Sequence, residues 1–538
     1  MNCYRRMRRG PALVLLAALL LASAAGASNM PLPPSEVTSS ITKRDLRKHL
    51  SFLASDELGG RYTLSQGSRI AARYLATELE SYGYKGAARD GSFFQKVPLS
   101  YRNVNMDKSL LTLNVNGARQ QFKYGDDFAS ETPANTDIGG ELVFVGYGIS
   151  APKVNHDDYQ GMDVKGKIAV AVGNLPDALK KAGFDDKQQT ETAASRGAAA
   201  LIIIAPPFYM ANWAQIKGYI ARETATLPPP PAGKFVPVIF AGPELSKALG
   251  KAMGKEESYL LNQAGAGARP AAIPATAELK IDVVVKDAPP AYNVVGVLEG
   301  SDAKLKDEYV IFSSHYDHLK ARDNGEVYNG ADDDGSGTVA VLEIAQALSL
   351  GERARRSILI VFHTGEEMGL LGSEFNVDYE PAVPLTKLVA DFNIDMIGRS
   401  REPGNNDQRD KELTDKDSVY VIGADKLSTE LNRISEQTNA ETARLKFDYT
   451  YNDENHPQQF YYRSDHYNYA KHGIPIIFYF TGVHRDYHMT TDDIEKIDFD
   501  KVERISRLIL ATGWRVANLD HRLVVDKKPA PAPAPAAR

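Results

Sequence analysis

Three consecutive aspartates stand between glycines in the segment 329–337. Adjacent carboxylates repel one another, so such a run by itself is typical of a solvated loop. This run, however, lies between an apolar stretch that leads to His315 and a helix-compatible segment that begins at Thr338. A loop between a strand and a helix can bring carboxylate oxygens into the crevice at the carboxyl end of the strand, where open α/β sheets bind ligands. The segment therefore predicts a metal site.

Histidines and further acidic residues follow several other apolar stretches in the second half of the chain. Taken singly, a histidine or a glutamate pair at such a position is more often a hydrogen-bonded or solvated residue than a ligand. Their recurrence at successive strand ends instead predicts one shared cluster. Nitrogen and carboxylate ligands together suit zinc, or less specifically manganese or cobalt. The candidates are His315, Asp333, Glu366, Glu367, Asp395 and His488.

The elements that must position this cluster alternate regularly between strand and helix patterns. Such alternation predicts an α/β fold with a doubly wound, mostly parallel sheet and helices on both faces. The active site should then lie along the carboxyl ends of the strands. Predicted strands cover residues 309–314, 357–362, 388–394, 419–422 and 474–480, and predicted helices cover 338–348, 427–437, 464–471 and 501–518.

The first half of the chain divides into an amino-terminal segment and a region of different character. Apolar residues recur at helical spacing through residues 41–84, and shorter alternating stretches continue towards residue 130. Residues 131–285 are rich in short strands, glycines and loops. Because this region holds no cluster of metal-ligand residues and no obvious nucleophile, we expect a β-rich inserted domain that acts as a lid or orients a substrate. Residues 41–130 and 286–520 would then form the main domain.

Both ends of the chain have compositions that do not belong to a folded core. Residues 1–27 carry an arginine-rich start, an apolar stretch and a small-residue end, which is the layout of a cleaved signal peptide. The apolar stretch is shorter than the roughly 20 residues of a spanning helix, so we expect no stable membrane anchor but export to a periplasmic or extracellular location. Cys3 lies within this signal, and the mature chain has no cysteine. Residues 521–538, rich in proline and alanine, are expected to be a disordered tail.

Composition limits the class of partner. The chain has 538 residues, which is enough for more than one domain, and a net charge of −6 with both signs mixed throughout. A protein that binds nucleic acid is expected to carry a basic patch, so the sequence predicts no nucleic-acid partner. These numbers leave the oligomeric state open.

The motifs around the candidate ligands resemble those of the co-catalytic di-zinc aminopeptidases, a clan that also includes glutamate carboxypeptidase and the transferrin-receptor ectodomain. They occur in the family's order across the second half of the chain. The resemblance implies a zinc exopeptidase fold, with 286–520 as the catalytic domain and 131–285 as an inserted protease-associated domain. The motifs lie at residues 314–318, 330–337, 365–373, 393–396, 464–466 and 487–492.

The resemblance also implies a ligand set for two zinc ions. Asp333 would bridge the ions, because two dications about 3.5–4 Å apart need a shared anion between them. Asp333 is chosen among its neighbours by motif alignment alone, so Asp332 and Asp334 remain alternatives. The other ligands would be His315 and Asp395 for one ion, and Glu367 and His488 for the second.

Catalytic roles follow from the same resemblance. Glu366 would be the general base that takes a proton from water and delivers it to the leaving amine. Asp317 would accept a hydrogen bond from the imidazole of His315 and fix its tautomer. Tyr487 would donate a hydrogen bond to the developing oxyanion, with a packed position on the pocket wall as its alternative.

The function implied is a secreted aminopeptidase that acts on peptides. One alternative is a carboxypeptidase of the glutamate carboxypeptidase type, which would need arginines for substrate carboxylates, and Arg399, Arg401 and Arg463 are the candidates. The other is a receptor-like protein without metals, which the clustered carboxylates argue against because a binding module has no use for them.

Several residues near the motifs are expected to be structural. The ligand set is complete without the remaining histidines, although His484 is a candidate for substrate contact. Arg61 is also expected to be structural, with contact to a substrate as the less favoured alternative. The histidines set aside are His318, His363, His466, His472 and His484.

Overall fold

The computed structural model describes residues 30–529, except for 131–133, 153–154, 182–183, 185, 221–223, 229–235, 257, 263–267 and 454–455. The predicted signal peptide at 1–27 and residues 530–538 of the predicted tail lie outside the described residues. Within the described part of the chain, no helix combines the length and the apolar character needed to cross a membrane.

The strands are β1 (Lys85–Gly86), β2 (Phe94–Val97), β3 (Ser100–Val104), β4 (Leu110–Val115), β5 (Ala118–Lys123), β6 (Phe128–Ala129), β7 (Thr136–Phe144), β8 (Ser150–Ala151), β9 (His156–Asp157), β10 (Ile168–Val172), β11 (Ala200–Ile204), β12 (Thr224–Thr226), β13 (Val238–Ala241), β14 (Ala271–Ile281), β15 (Val283–Asp287), β16 (Ala291–Leu298), β17 (Tyr309–His315), β18 (Ser357–His363), β19 (Leu388–Ile394), β20 (Ser418–Ile422), β21 (Lys446–Asp448) and β22 (Ile476–Phe480).

The α-helices are α1 (Ser35–Ser40), α2 (Lys43–Leu53), α3 (Gln66–Ser81), α4 (Asp177–Lys181), α5 (Asp186–Ser195), α6 (Pro207–Ala211), α7 (Trp213–Ile220), α8 (Pro243–Ala252), α9 (Gly337–Ser349), α10 (Leu371–Glu374), α11 (Thr429–Glu441), α12 (His466–Ala470) and α13 (Phe499–Ala517). Short turns of 3₁₀ helix cover Asp56–Arg61, Leu385–Lys387, Gln408–Asp410, Thr450–Asn452, Phe460–Tyr462 and Ile494–Lys496, and π-helical turns cover Ala331–Ser336 and Phe375–Tyr379.

The main sheet has the order β1-β16-β18-β17-β19-β22-β20-β21, with β2 also paired to β16. Its centre is parallel, from β18 through β17 and β19 to β22. Antiparallel pairs flank this centre, at β16 with β18 and at β20 with β22. The predicted α/β class with a largely parallel central sheet is therefore confirmed, and the carboxyl ends of the four central strands meet at one edge.

Both faces of the central strands are covered. Strand β17 reads as an apolar run, as expected for a strand buried on two sides. Its Val310 and Phe312 side chains pack into a core with α2, α3, α9 and α13, whereas Ile311 packs into a second core with α12. Alternate residues of one strand thus serve two cores, so the helices lie on both faces as predicted.

Local signals mark where the main helices begin. The hydroxyl of Ser428 accepts the backbone N–H of Leu431 at the start of α11, and the carboxylate of Asp498 accepts that of Lys501 at the start of α13. Such caps satisfy backbone donors that the first helical turn leaves free. Helix α9 begins directly behind the acidic loop; its N-cap residue, Ser336, makes no side-chain cap, and the carboxylate of Asp334 accepts the backbone N–H of Gly337 instead.

A second sheet, of order β5-β4-β14-β7-β10-β11-β13-β6, surrounds its own apolar core. Its strands begin at Leu110, ahead of residue 131, where the sequence pattern places the start of the insert. The reason is a pairing distant in sequence: β4 lies beside β14, with Leu113 opposite Ala277. A three-stranded sheet, β12-β3-β15, joins this region to the main domain.

The predicted tail begins with packed residues. Residues 521–529 form neither helix nor strand, but the side chain of Leu523 is buried in the main core. The carboxylate of Asp526 also accepts the backbone N–H of Thr429. Local composition does not reveal these contacts, because they join the tail to a helix about 100 residues earlier.

Candidate metal centre

Four central strands deliver the predicted ligands to one place. His315 is the last residue of β17, and Asp395 directly follows β19. Glu367 lies in the loop after β18, and His488 lies in the loop after β22. Because these strands are parallel, their following residues converge at one edge of the sheet.

One side of the cluster is formed around His315. Its Nε2 lies 3.4 Å from Oδ1 of Asp333 and 3.5 Å from Oδ1 of Asp395. Its Nδ1 faces the backbone carbonyl of Asp317 at 3.1 Å, which leaves Nε2 as the nitrogen that points into the cluster. One imidazole nitrogen and two carboxylate oxygens are donors that suit zinc.

The other side is formed around His488. Its Nε2 lies 3.2 Å from Oδ2 of Asp333 and 3.1 Å from Oε2 of Glu367. The two oxygens of Asp333 therefore face two different groups of ligands. This is the arrangement that a bridging carboxylate requires, and it supports Asp333 over its neighbours as the shared ligand.

His318, which the sequence predicts to be structural, lies in this second group. Its Nδ1 lies 2.7 Å from Oε1 of Glu367 and 3.7 Å from Oδ2 of Asp333, and the side chain is buried. His318, Asp333 and Glu367 together offer donors close enough to share a cation. Its position three residues after His315 in the same strand-end turn is the only sequence signal that could have indicated this.

The flanking aspartates have other partners. Oδ1 of Asp334 accepts the backbone N–H groups of Met396 and Gly337, at 3.0 and 2.9 Å. Asp334 nevertheless lies close enough to His315 and Asp395 to share a cation with them, so it stays an alternative ligand on that side. The carboxylate of Asp332 turns away, towards the imidazole of His484 at 3.2 Å.

Asp317 supports the site differently from the expectation. Its Oδ1 is 3.9 Å from Nδ1 of His315, too far for a hydrogen bond, because the turn presents its backbone carbonyl to the imidazole instead. The carboxylate accepts the backbone N–H of Glu366 at 3.2 Å and the hydroxyl of Thr63 at 2.7 Å. Asp317 thus fixes the tautomer of His315 through its main chain and the Glu366 loop through its side chain.

Glu366 lies beside the cluster without joining either group closely. Its Oε2 is 3.9 Å from Nε2 of His315, beyond hydrogen-bond distance. Burial raises the pKa of Glu366 well above its ordinary value, with His315 opposing the shift and the charge of Glu367 adding to it. A carboxylate with a raised pKa beside a cation site holds a proton readily, which is what a general base must do.

The electrostatics of the cluster fit bound cations. Oδ2 of Asp333, Oδ1 of Asp395 and Nε2 of His318 are buried without a hydrogen-bond partner. Although burial acts against it, the neighbouring imidazoles, that of His318 foremost, hold the pKa of Asp333 well below its ordinary range. Burial lowers the pKa of His488, but the interactions with the nearby carboxylates of Asp333 and Glu367 prevail and raise it to about 10. Buried, unpartnered donor atoms of this kind call for a ligand.

A pocket opens beside the cluster. Its lining combines the carboxylates of Asp333, Glu366 and Asp395 with aromatic and apolar side chains. Tyr487 stacks on the ring of His488, with 3.9 Å between ring centroids, and its hydroxyl makes no hydrogen bond within the described part of the chain. The rest of the lining consists of Met396, Phe460, Arg463, Ser464, Phe478, Phe480, Val483, Tyr487 and His488.

Of the arginines considered for substrate carboxylates, only Arg463 lines this pocket. Its guanidinium lies over the ring of Phe460, 4.7 Å from the centroid. Arg399 is paired with Asp486 at 2.7 Å, and Arg401 donates to a backbone carbonyl. Arg61 is buried and donates to four backbone carbonyls, which makes it a structural residue.

The other histidines have structural surroundings. Burial lowers the pKa values of His363 and His466 to about 3, so both are neutral in the fold. His472 pairs with Asp378 near the surface. His484 contacts Asp332 behind the cluster instead of facing the pocket.

Part of the chain matches the model of a known protein family. Residues 293–513 match the model described as Peptidase family M28. The chain is 26% identical over 242 residues to Aminopeptidase YwaD of Bacillus subtilis, and the match covers 44% of this chain and 47% of that protein. It is 36% identical over 106 residues to a probable leucine aminopeptidase 2 of Aspergillus oryzae, and this match covers 20% of this chain and 19% of that protein. It is also 36% identical over 107 residues to the probable glutamate carboxypeptidase LAMP1 of Arabidopsis thaliana, and this match covers 19% of this chain and 14% of that protein.

A solved structure of BSAP, a zinc aminopeptidase from Bacillus subtilis, is also similar, at 19% identity and a TM-score of 0.42, over 93% of this chain and 98% of that one. The matches to the curated relatives span about half of those proteins or much less.

Proposed function

Because residues 293–513 match the model of Peptidase family M28, we propose that this chain is an exported metallo-aminopeptidase that uses two zinc ions. The single observation that carries the proposal is the orientation of Asp333, whose two carboxylate oxygens face separate groups of ligands at 3.4 and 3.2 Å. A binding protein without metals has no use for such an arrangement of buried carboxylates.

The residues present fit two zinc ions. His315 and Asp395 would hold one ion, Glu367 and His488 the second, and Asp333 would bind both. When bound, zinc supplies Lewis acidity, which polarises a carbonyl and makes water a nucleophile near neutral pH. Manganese or cobalt could replace zinc with the same donors.

Glu366 carries the proton in this proposal. Its raised pKa lets the carboxylate take a proton from the attacking water and hold it while the carbon–nitrogen bond breaks. It would then donate that proton to the nitrogen of the leaving amine. The hydrogen bond from the backbone N–H of Glu366 to Asp317 keeps the carboxylate beside the cluster.

Tyr487 serves as the oxyanion donor. Its hydroxyl is not engaged by any described residue, and its ring is fixed by stacking on His488. A hydrogen bond from this hydroxyl would stabilise the negative charge that develops on the carbonyl oxygen of the substrate.

The pocket supports peptides that begin with an apolar residue. Phe460, Phe478 and Phe480 line the pocket beside the cluster, and an apolar first side chain of the peptide would contact this aromatic side of the pocket. The carboxypeptidase alternative is weaker, because only one of the three candidate arginines, Arg463, reaches the pocket.

The inserted region is proposed to orient substrate. Leu227, within this region, packs in one cluster with Met368 and Leu371, which follow the Glu366 loop. The hydroxyl of Tyr379 also donates to the backbone carbonyl of Pro228 at 3.2 Å. The insert thus borders the catalytic loop directly.

Export rests on the predicted signal peptide at 1–27.

Hydrolysis of a panel of aminoacyl p-nitroanilides tests the proposal. Purified protein should release p-nitroaniline from leucyl and phenylalanyl substrates, lose this activity on chelation and regain it with zinc. Amino-terminally blocked substrates serve as the control and should be inert. A protein with two zinc ions bound that cleaves none of the free-amine substrates would refute the proposal.

A further inference from the structure

Asp492 is a buried residue that touches the acidic loop from behind and has no role in the reaction described above. Its Oδ2 accepts the backbone N–H groups of Asp332 and Asp333 at 2.9 and 3.1 Å. Its backbone carbonyl accepts the N–H of Ala331 at 3.0 Å. Three successive N–H groups of the loop therefore end on this single residue.

The same residue is fixed to a second ligand-bearing segment. Asp492 lies four residues after His488, and Arg399 reaches its Oδ1 at 3.4 Å. The guanidinium of Arg399 also pairs with Asp486 at 2.7 Å, two residues before His488. Asp492 thereby connects the segment that carries His488 to the loop that carries Asp333.

This connection bears on metal binding because neither segment is a regular helix or strand. His488 has a φ of +56°, a left-handed conformation that residues other than glycine seldom adopt, so surrounding contacts must hold it. Residues 332–334 place consecutive carboxylates side by side in a buried loop. Without an acceptor for its N–H groups, the loop would relax and turn the oxygens of Asp333 away from their two groups.

We infer that Asp492 is a positioning residue that holds the side chains of Asp333 and His488 in the relative positions that zinc binding requires. This inference rests on the proposed function for the identity of the cations. Asp492 itself does not face the cluster, so its effect is expected in zinc affinity, whereas the chemistry at full occupancy should be unchanged. Residues that orient metal ligands typically change affinity by about 10- to 100-fold when replaced.

The test compares Asp492→Asn and Asp492→Ala with a matched control, Glu495→Gln. Glu495 is exposed in the same loop region, and its replacement by glutamine removes one negative charge as Asp492→Asn does. Zinc affinity is measured by competition with a chromophoric chelator. Thermal unfolding of the chelated proteins is measured in parallel, and leucyl p-nitroanilide hydrolysis is followed as zinc is raised.

We expect Asp492→Ala to weaken zinc binding by about 10- to 100-fold and Asp492→Asn by less, because the amide oxygen still accepts while its NH₂ group opposes Arg399. Glu495→Gln should bind zinc as the wild type does. Saturating zinc should restore kcat in the Asp492 variants. If Asp492→Ala fails to fold, the comparison of Asp492→Asn with Glu495→Gln decides.

The inference is overturned if the Asp492 variants bind zinc as tightly as Glu495→Gln, even when their chelated forms unfold at lower temperature, since the role would then be purely structural. It is also overturned if the wild type binds no zinc. A wild type that binds zinc, is sensitive to Asp492 and yet cleaves no peptide would refute the proposed function and leave this inference standing.

Discussion

Replacement of Glu366 by glutamine separates the chemistry from metal binding. Glutamine has nearly the same shape, but its amide cannot accept the proton of the attacking water. Oε2 of Glu366 lies 3.9 Å from Nε2 of His315, so the change breaks no hydrogen bond to that ligand. The bond to Asp317 uses the backbone N–H and is unaffected. We therefore expect zinc content to be unchanged.

The magnitude follows from the role. A positioned general base contributes roughly 10²- to 10⁴-fold, and it is most effective when its pKa lies near the working pH. We therefore expect kcat to fall by about 10²- to 10⁴-fold when the carboxylate is replaced. At about 1.4 kcal/mol per tenfold change, this is about 3–5.5 kcal/mol of transition-state stabilisation.

The assay pairs Glu366→Gln with Glu367→Gln, its neighbour in the chain. Oε1 of Glu367 accepts from Nδ1 of His318 at 2.7 Å, and Oε2 faces Nε2 of His488 at 3.1 Å, so an amide here removes a ligand oxygen. Glu367→Gln should lose zinc as well as turnover, whereas Glu366→Gln should lose turnover alone. A Glu366→Gln enzyme with kcat within threefold of the wild type would refute the assignment.

Three further outcomes are expected. Tyr487→Phe should lower kcat by about 10²- to 10³-fold with little change in KM, because one oxyanion donor is lost. Steady-state kinetics measure this change. An unchanged kcat would show that Tyr487 only packs on the pocket wall. Zinc affinity should rise with pH between about 6 and 10, because the pKa of His488 is raised to about 10 and zinc must displace the proton from its imidazole. Calorimetry in buffers of different ionisation enthalpy should record the release of this proton on zinc binding. Zinc binding without proton release would contradict the prediction. His49→Leu should lower the free energy of unfolding by about 1–3 kcal/mol in denaturant titrations, since it leaves the fully buried Glu343 without the imidazole nitrogen 3.1 Å away. An unchanged free energy of unfolding would show that the pair contributes little.

Sequence patterns predicted the features that depend on local periodicity. The central strands are apolar runs long enough to be read directly, and His315, Asp395 and the Glu366–Glu367 pair follow them within a few residues. Parallel packing then brings these ends together without further information. The catalytic half of the fold and the convergence of the candidate ligands could therefore be predicted from the sequence.

Features that depend on contacts distant in sequence could not. The sequence does not identify His318 as a candidate ligand, because its approach to Glu367 depends on how the strand-end turn is folded. The sequence predicts a hydrogen bond between the carboxylate of Asp317 and His315, but the turn presents the backbone carbonyl there instead. The pairing of β4 with β14 and the contact of Asp492 with the acidic loop join residues about 160 positions apart, and no local pattern marks them.

The central claim is that Asp333 bridges two zinc ions. Zinc per chain, measured by native mass spectrometry and by elemental analysis on the wild type and on Asp333→Asn, tests it most directly. The wild type should carry two ions, and Asp333→Asn should lose both together, because the amide leaves each group one carboxylate oxygen short. A wild type that saturates with one ion, or an Asp333→Asn variant that retains two, would contradict the claim.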